Sequence, residues 1–195
     1  MVTPLMRASS DCDLAAVERL IQRGENVNAA DEHGATALHY AHCSDIRVVR
    51  ALLAAGANIN ARTPHNVTPL MSSVSMAGGN PATALELIRE GGDVNVADSD
   101  GNTALWVATT ESDVSVVRAL LEAGADPNVQ SRTPGGYTPL HMAASNGLIE
   151  AAEVLLQHGA DVTIRNSQGQ TALDVANKKW PAMRDLLARH VRTAR

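Results

Sequence analysis

Apolar positions in this chain come in short bursts at helical spacing. Val48, Val49, Leu52 and Leu53 form one burst, and Val116, Val117, Leu120 and Leu121 another, each marking one face of a helix. A glycine follows each burst, giving the series Gly24, Gly56, Gly91, Gly124 and Gly159. Glycine enters the left-handed conformation freely, so these positions predict helix ends. Upstream of each burst stands Thr, then Pro or Ala, then Leu, at Thr3, Thr36, Thr68, Thr103, Thr138 and Thr171. A Thr hydroxyl caps the free amides of a helix start, and Pro or Ala suits the first helical position. A short Ala-rich helix is predicted next, as in His141-Met142-Ala143-Ala144. Turn-forming stretches such as Asp98-Ser99-Asp100-Gly101-Asn102 lead back to the next Thr. The predicted unit is helix, turn, helix and a projecting hairpin.

The Thr positions are 33, 32, 35, 35 and 33 residues apart. Four residues beyond each closing glycine stands Asn28, Asn60, Asn95, Asn128 or Thr163, a second ladder in phase with the first. Such a period is the mark of a stacked repeat. The pattern Asp31-x-x-Gly34-x-Thr36-Ala37-Leu38-His39-x-Ala41, closing with Leu52-Leu53-x-x-Gly56-Ala57-Asn58-Ile59-Asn60, resembles the ankyrin repeat. Asp98 to Asn128 and Thr138 to Asp161 match it as well. The resemblance implies an all-α solenoid of stacked helix-turn-helix units with projecting β-hairpin loops. It covers residues 1–195 as a single domain, in units of about 1–30, 31–62, 63–97, 98–130, 131–165 and 166–195, the first and last acting as caps. It further implies protein recognition on a concave face, with no catalytic residues and no cofactor.

Composition agrees with a thin stack. The 195 residues contain no Phe, two Trp and two Tyr, so Ala, Leu and Val must supply the buried surface. Two cysteines, Cys12 and Cys43, are too few for a disulfide framework and favour a reducing compartment. No signal peptide or membrane-spanning run is visible, so a cytoplasmic chain that is monomeric on its own is expected. The net charge is -5, but residues 177–195 hold six of the basic side chains against Asp185. An acidic body disfavours nucleic acid, and the basic end suits the last turns of a terminal helix. Arg outnumbers Lys 14 to 2, which leans toward a GC-rich bacterial source.

Two irregularities distinguish individual units. The third carries extra residues around Met76-Ala77-Gly78-Gly79-Asn80-Pro81, and the fifth has a longer hairpin, Ser131 to Tyr137. The longer finger is expected to reach beyond its neighbours with Tyr137 at its tip. By analogy with the family, hairpin tips and first helices place His33, Cys43, His65, Met76, Asp100, Asn102, Trp106, Glu111, Tyr137 and Asn146 on the partner-binding face. Trp106 stands where other units have His39 and His141, and reads as core or as the floor of the groove.

Chemical readings are weaker. His39, His42 and Cys43 share one helical stretch and offer three metal-type ligands without a fourth. Cys43 lacks the oriented base and third group that a nucleophile requires. Gly78-Gly79 and Gly135-Gly136 lack the Lys and the strand-to-helix setting of a phosphate loop. The asparagine ladder is explained by its place in the hairpins. The expectation is a non-enzymatic module that binds and modulates another protein, in its most concrete form a bacterial inhibitor, immunity or regulatory protein. Alternatives are a scaffold or host-directed effector and, remotely, a metal or hydrolytic protein using His39, His42 and Cys43.

Overall fold

The computed structural model describes residues 1–42, 44–75, 79–110, 113–176 and 180–193. The chain forms two compact units, Met1–Ser99 and Asp100–Arg195. The first contains α1 (Pro4–Ser10), α2 (Leu14–Gln22), α3 (Ala37–Tyr40), α4 (Ile46–Ala54), α5 (Pro69–Ser73) and α6 (Pro81–Arg89). The second contains α7 (Ala104–Thr110), α8 (Val114–Glu122), α9 (Pro139–Asn146), α10 (Ile149–Gln157), α11 (Ala172–Val175) and α12 (Pro181–Thr193). Among the described residues the architecture is all-helical, and the helix pairs are joined by tight turns.

The predicted starts and stops are where the sequence puts them. Thr3, Thr68, Thr138 and Thr171 each accept a hydrogen bond from the amide three residues on. The second helix of a pair is capped by Asp13, Asp45, Asn80 or Asp113, and α10 opens without a side-chain cap, with Glu150 in its first turn. Asn80 and Pro81, among the third unit's extra residues, thus serve as cap and first position of α6. Helices α2, α4, α6, α8 and α10 are all nine residues long, whereas first helices range from four to eight. The closing glycines take positive φ, as at Gly56 (86°) and Gly124 (87°). At Gly56 the amide bonds Leu53 O and the next amide bonds Leu52 O, which satisfies carbonyls left open at the helix end.

Each unit has its own apolar spine. In Met1–Ser99, α1 packs on α2 and α3, α3 on α5, and the second helices α2, α4 and α6 stack in turn, burying Leu5, Met6, Leu38, Leu52, Leu70 and Leu87. In Asp100–Arg195, α9 packs on α7, α10 and α11, α8 on α7 and α10, and α12 on α10 and α11, burying Leu105, Leu120, Leu140, Leu155 and Leu187. The periodicity makes Leu52 and Leu53 equivalent. The fold separates them, burying Leu52 completely and leaving Leu53 half-exposed beside Arg50 and Arg89. Gly147 (φ 72°) lies so close under the Trp180 ring that a Cβ there would overlap it.

Turn bases close by backbone bonds, Asp31 N–H to Ala35 O, Thr63 N–H to Val67 O, Ser131 N–H to Tyr137 O and Asn166 N–H to Gln170 O. The asparagine ladder clips successive turns. Asn28 donates to Gly56 O at 2.9 Å and accepts from Asn58 N–H at 2.7 Å. Asn128 does the same with Gly159 O and Asp161 N–H. These bonds give the asparagines the structural role that their place in the hairpins implies.

Candidate partner-binding site

The turns preceding α3 and α11 are each built around one polar side chain. Asp31 Oδ1 accepts from His33 and Ala35 amides at 2.8 and 2.9 Å, and its Oδ2 accepts from Tyr40 Oη at 2.7 Å. Burial opposes ionisation of Asp31, but the bonds from Tyr40, Ala35 and His33 outweigh it and lower its pKa. Asn166 performs the same task for the Gln168 and Gln170 amides. Turn bases are therefore rigid, and their tips stand out. His33 and His65 are exposed on two successive turns of Met1–Ser99, and the tips are linked onward where Ser99 N–H bonds His65 O.

In Asp100–Arg195 the tip residue Asp100 is exposed and its carbonyl accepts from Arg132 N–H at 2.6 Å. Gly101 (φ 77°) is overlaid by the Arg132 side chain, leaving no room for a Cβ. Arg132 is exposed at this tip and belongs to the candidate surface. Its place as the first residue beyond the Ser131 turn base matches the exposed Glu32 beyond Asp31 and Pro64 beyond Thr63, although the longer loop hid that register. The lengthened loop is held by Ser131 and Thr133 hydroxyls 2.7 Å apart and by Gln130, which donates to Gly136 O and Arg165 O.

Tyr137 is not at the tip. It closes the base of the loop, half-buried, with its ring stacked on His141 at a centroid distance of 5.6 Å. The residue before the capping Thr occupies this base in other turns too, as Ala35, Val67 and Gln170 do, so the added residues extend Arg132 to Gly136 instead. Trp106 is half-buried beside it, and its indole N–H donates to Tyr137 O at 3.1 Å. Trp106 thus performs the reach to the next turn that His39 makes to Val67 O (3.2 Å) and His141 to Gln170 O (3.0 Å). Asn102 is half-buried at the start of this unit and Asn146 is exposed at the end of α9. Cys43, Met76 and Glu111 lie outside the described residues.

The metal reading meets a specific obstacle. Both ring nitrogens of His39 are engaged, Nδ1 by Thr36 and Nε2 by Val67 O. Among the described residues, no group of three or more His, Cys, Asp or Glu could hold a metal ion. Cys12, the turn residue between α1 and α2, is a free thiol at φ 59°, the left-handed position that Gly147 fills in the fifth repeat. Among the described residues no helix is long and apolar enough to cross a membrane.

Capped helix pairs clipped turn to turn define a stacked helical-repeat protein. Family models described as ankyrin repeats match residues 2–63 and 63–131 in three-copy form and 120–176 in many-copy form, and the chain belongs to the ankyrin repeat family. A solved ankyrin repeat domain from Acinetobacter baumannii AYE superposes with a TM-score of 0.83 at 26% identity, covering 95% of this chain and 96% of that one. Ankyrin repeat and SOCS box protein 16 of Mus musculus is 39% identical over 180 residues, 87% of this chain and 38% of its own length. The nuclear factor NF-kappa-B p105 subunit of Gallus gallus is 34% identical over 167 residues, 84% of this chain and 17% of its own length. A probable E3 ubiquitin-protein ligase of Oryza sativa subsp. japonica is 40% identical over 104 residues, 52% of this chain and 20% of its own length. The chain therefore spans well under half of these curated relatives. Ankyrin repeats indicate a protein–protein interaction module.

Proposed function

We propose that this chain is a non-catalytic module whose turn tips and first helices bind a partner protein and modulate it. The observation that carries this reading is the build of the tips. Their bases are fixed by buried or half-buried hydrogen bonds, while His33, His65, Asp100 and Arg132 are held out to solvent on prearranged backbone. Rigid presentation of polar side chains lowers the ordering cost of association. In its most concrete form the chain is a bacterial inhibitor, immunity or regulatory protein that acts in the cytoplasm and is monomeric alone. The great length of the curated relatives favours a second reading, a repeat segment that tethers a complex.

A photo-crosslinking residue placed at His65 or Arg132, and in parallel at the outer-helix positions Arg118 or Glu153, tests this surface. One protein captured from the tips but not from the outer helices supports it, and capture from the outer helices alone would move the interface. Tyr137→Ala should weaken binding of that protein by about 1–4 kcal/mol. Because its ring lies on His141, it should also cost about 1 kcal/mol of stability.

A further inference from the structure

Three residues reach from a first helix to the turn base of the next repeat, and they do it with different chemistry. The backbone N–H of Thr36 can only donate, and it points at His39 Nδ1 from 3.0 Å. That nitrogen must therefore be unprotonated, so Nε2 carries the hydrogen and donates to Val67 O, which can only accept. His141 is arranged alike, with Thr138 N–H and Oγ1 on Nδ1 and Gln170 O on Nε2. Each joint thus requires the neutral imidazole in one tautomer. A proton on Nδ1 removes the acceptor of a buried amide and sets two N–H groups facing each other. Trp106 offers an indole N–H that donates to Tyr137 O and does not titrate.

We infer that the His39 and His141 joints open on protonation while the Trp106 joint holds, so that acid loosens the array at particular turns. The surroundings do little to rescue the cations. Around His39, the packed helices α1 and α4 carry Arg7, Arg47 and Arg50, all exposed, α5 carries no charge, and the following turn carries exposed His65. Asp31 is the one carboxylate that pulls the other way, and it is already committed to Tyr40 and two amides. His42, on the same segment, is half-buried. Around His141, α7 carries no charge, Glu150 and Glu153 of α10 are exposed, and Tyr137 stacks on the ring. Asp174 of α11 favours the cation, but its carboxylate caps Thr171. Burial outweighs these attractions and holds both imidazoles below the ordinary 6.5.

Hydrogen exchange by NMR on the intact chain between pH 7.5 and 5 tests this, with rates corrected for intrinsic chemistry. Protection of the Thr36 and Thr138 amides should fall by roughly threefold to thirtyfold, the upper figure being the linkage limit for a group that titrates at 6.5 only when its joint is open. The Trp106 indole N–H, read in the same sample, should keep its protection. Constant protection at Thr36 and Thr138 would overturn the inference, as would equal loss at Trp106, which would make the acid response global. Imidazole nitrogen shifts supply a check without any variant, and the Nδ1-protonated neutral form at either histidine would also overturn it. Trp106→His should transfer the pH response to the turn containing Tyr137.

Discussion

The two compact units solve one problem with different materials. Met1–Ser99 ties its outer helices with charge. Glu86 on α6, its side chain 6% exposed, bonds Arg50 of α4 at 2.5 Å and Arg89 one turn away at 2.7 Å. These contacts, Arg89 first and then Arg50, hold the Glu86 carboxyl down to about 2. Asp100–Arg195 adds an aromatic tie near its tips, running from Trp106 to the Tyr137 carbonyl and from the Tyr137 ring to His141. The apolar spine is common to both, and what varies is the polar hardware laid over it. The spine therefore accounts for the fold and the hardware for local behaviour.

Spine truncations should therefore hurt both units alike. Leu52→Ala and Leu120→Ala should each cost about 2–5 kcal/mol in denaturant unfolding, because both side chains are fully buried. Leu53→Ala should cost under about 1.5 kcal/mol, since its site is half-exposed. Equal losses at Leu52 and Leu53 would break the assignment of the spine. Next in size, Glu86→Gln should cost about 2 kcal/mol, below the usual figure for a severed buried pair because both arginines are more than half exposed. Trp106→Phe keeps an aromatic ring and removes the donor, so a loss of about 1 kcal/mol is expected.

The smallest effects are read by pH, with a histidine response shared by both units and a Glu86 response in Met1–Ser99. His39 and His141 bind protons more readily unfolded than folded, so their contribution is full above 6.5 and declines as pH falls below it. Glu86 is the reverse kind of group, ionised more readily when folded. Its contribution is full above 4.5 and is lost as pH falls through about 2. Thermal scans should show Glu86→Gln reducing only the later decline, the remainder coming from carboxylates such as Asp31, Asp161 and Asp174, which folding also holds below their ordinary values. An unchanged profile below pH 4.5 in that variant would assign the acid sensitivity to other carboxylates.

Much of this was legible in the residues. Thr caps and closing glycines are local signals, read from the backbone chemistry of each type, and the structure places them as expected. The choice between Leu52 and Leu53 was not legible, because both sit on one helical face and only the packing of the next helix decides which is covered. Trp106 could be seen as a departure from His, but that its indole N–H replaces the imidazole donor depends on a distance across 31 residues. Loop length alone puts Tyr137 at the tip, whereas the fold puts it at the base. Its position immediately before a capping Thr marks it as a base residue, the same register that Val67 and Gln170 show. The exposed tips could be anticipated by analogy, while Arg132 emerged only once the longer loop was folded.

The asparagine clips have a mechanical consequence. Each spans about thirty residues of sequence with two exposed hydrogen bonds, so it joins turns closely while holding no more load than water can replace. A molecule stretched between its ends should therefore come undone repeat by repeat. The Thr positions recur every 32 to 35 residues, so each rupture should lengthen the tether by roughly 110 Å of extended chain. A force–extension trace would then be an evenly toothed saw, its tooth spacing set by the same period that first appears as alternating threonines and glycines.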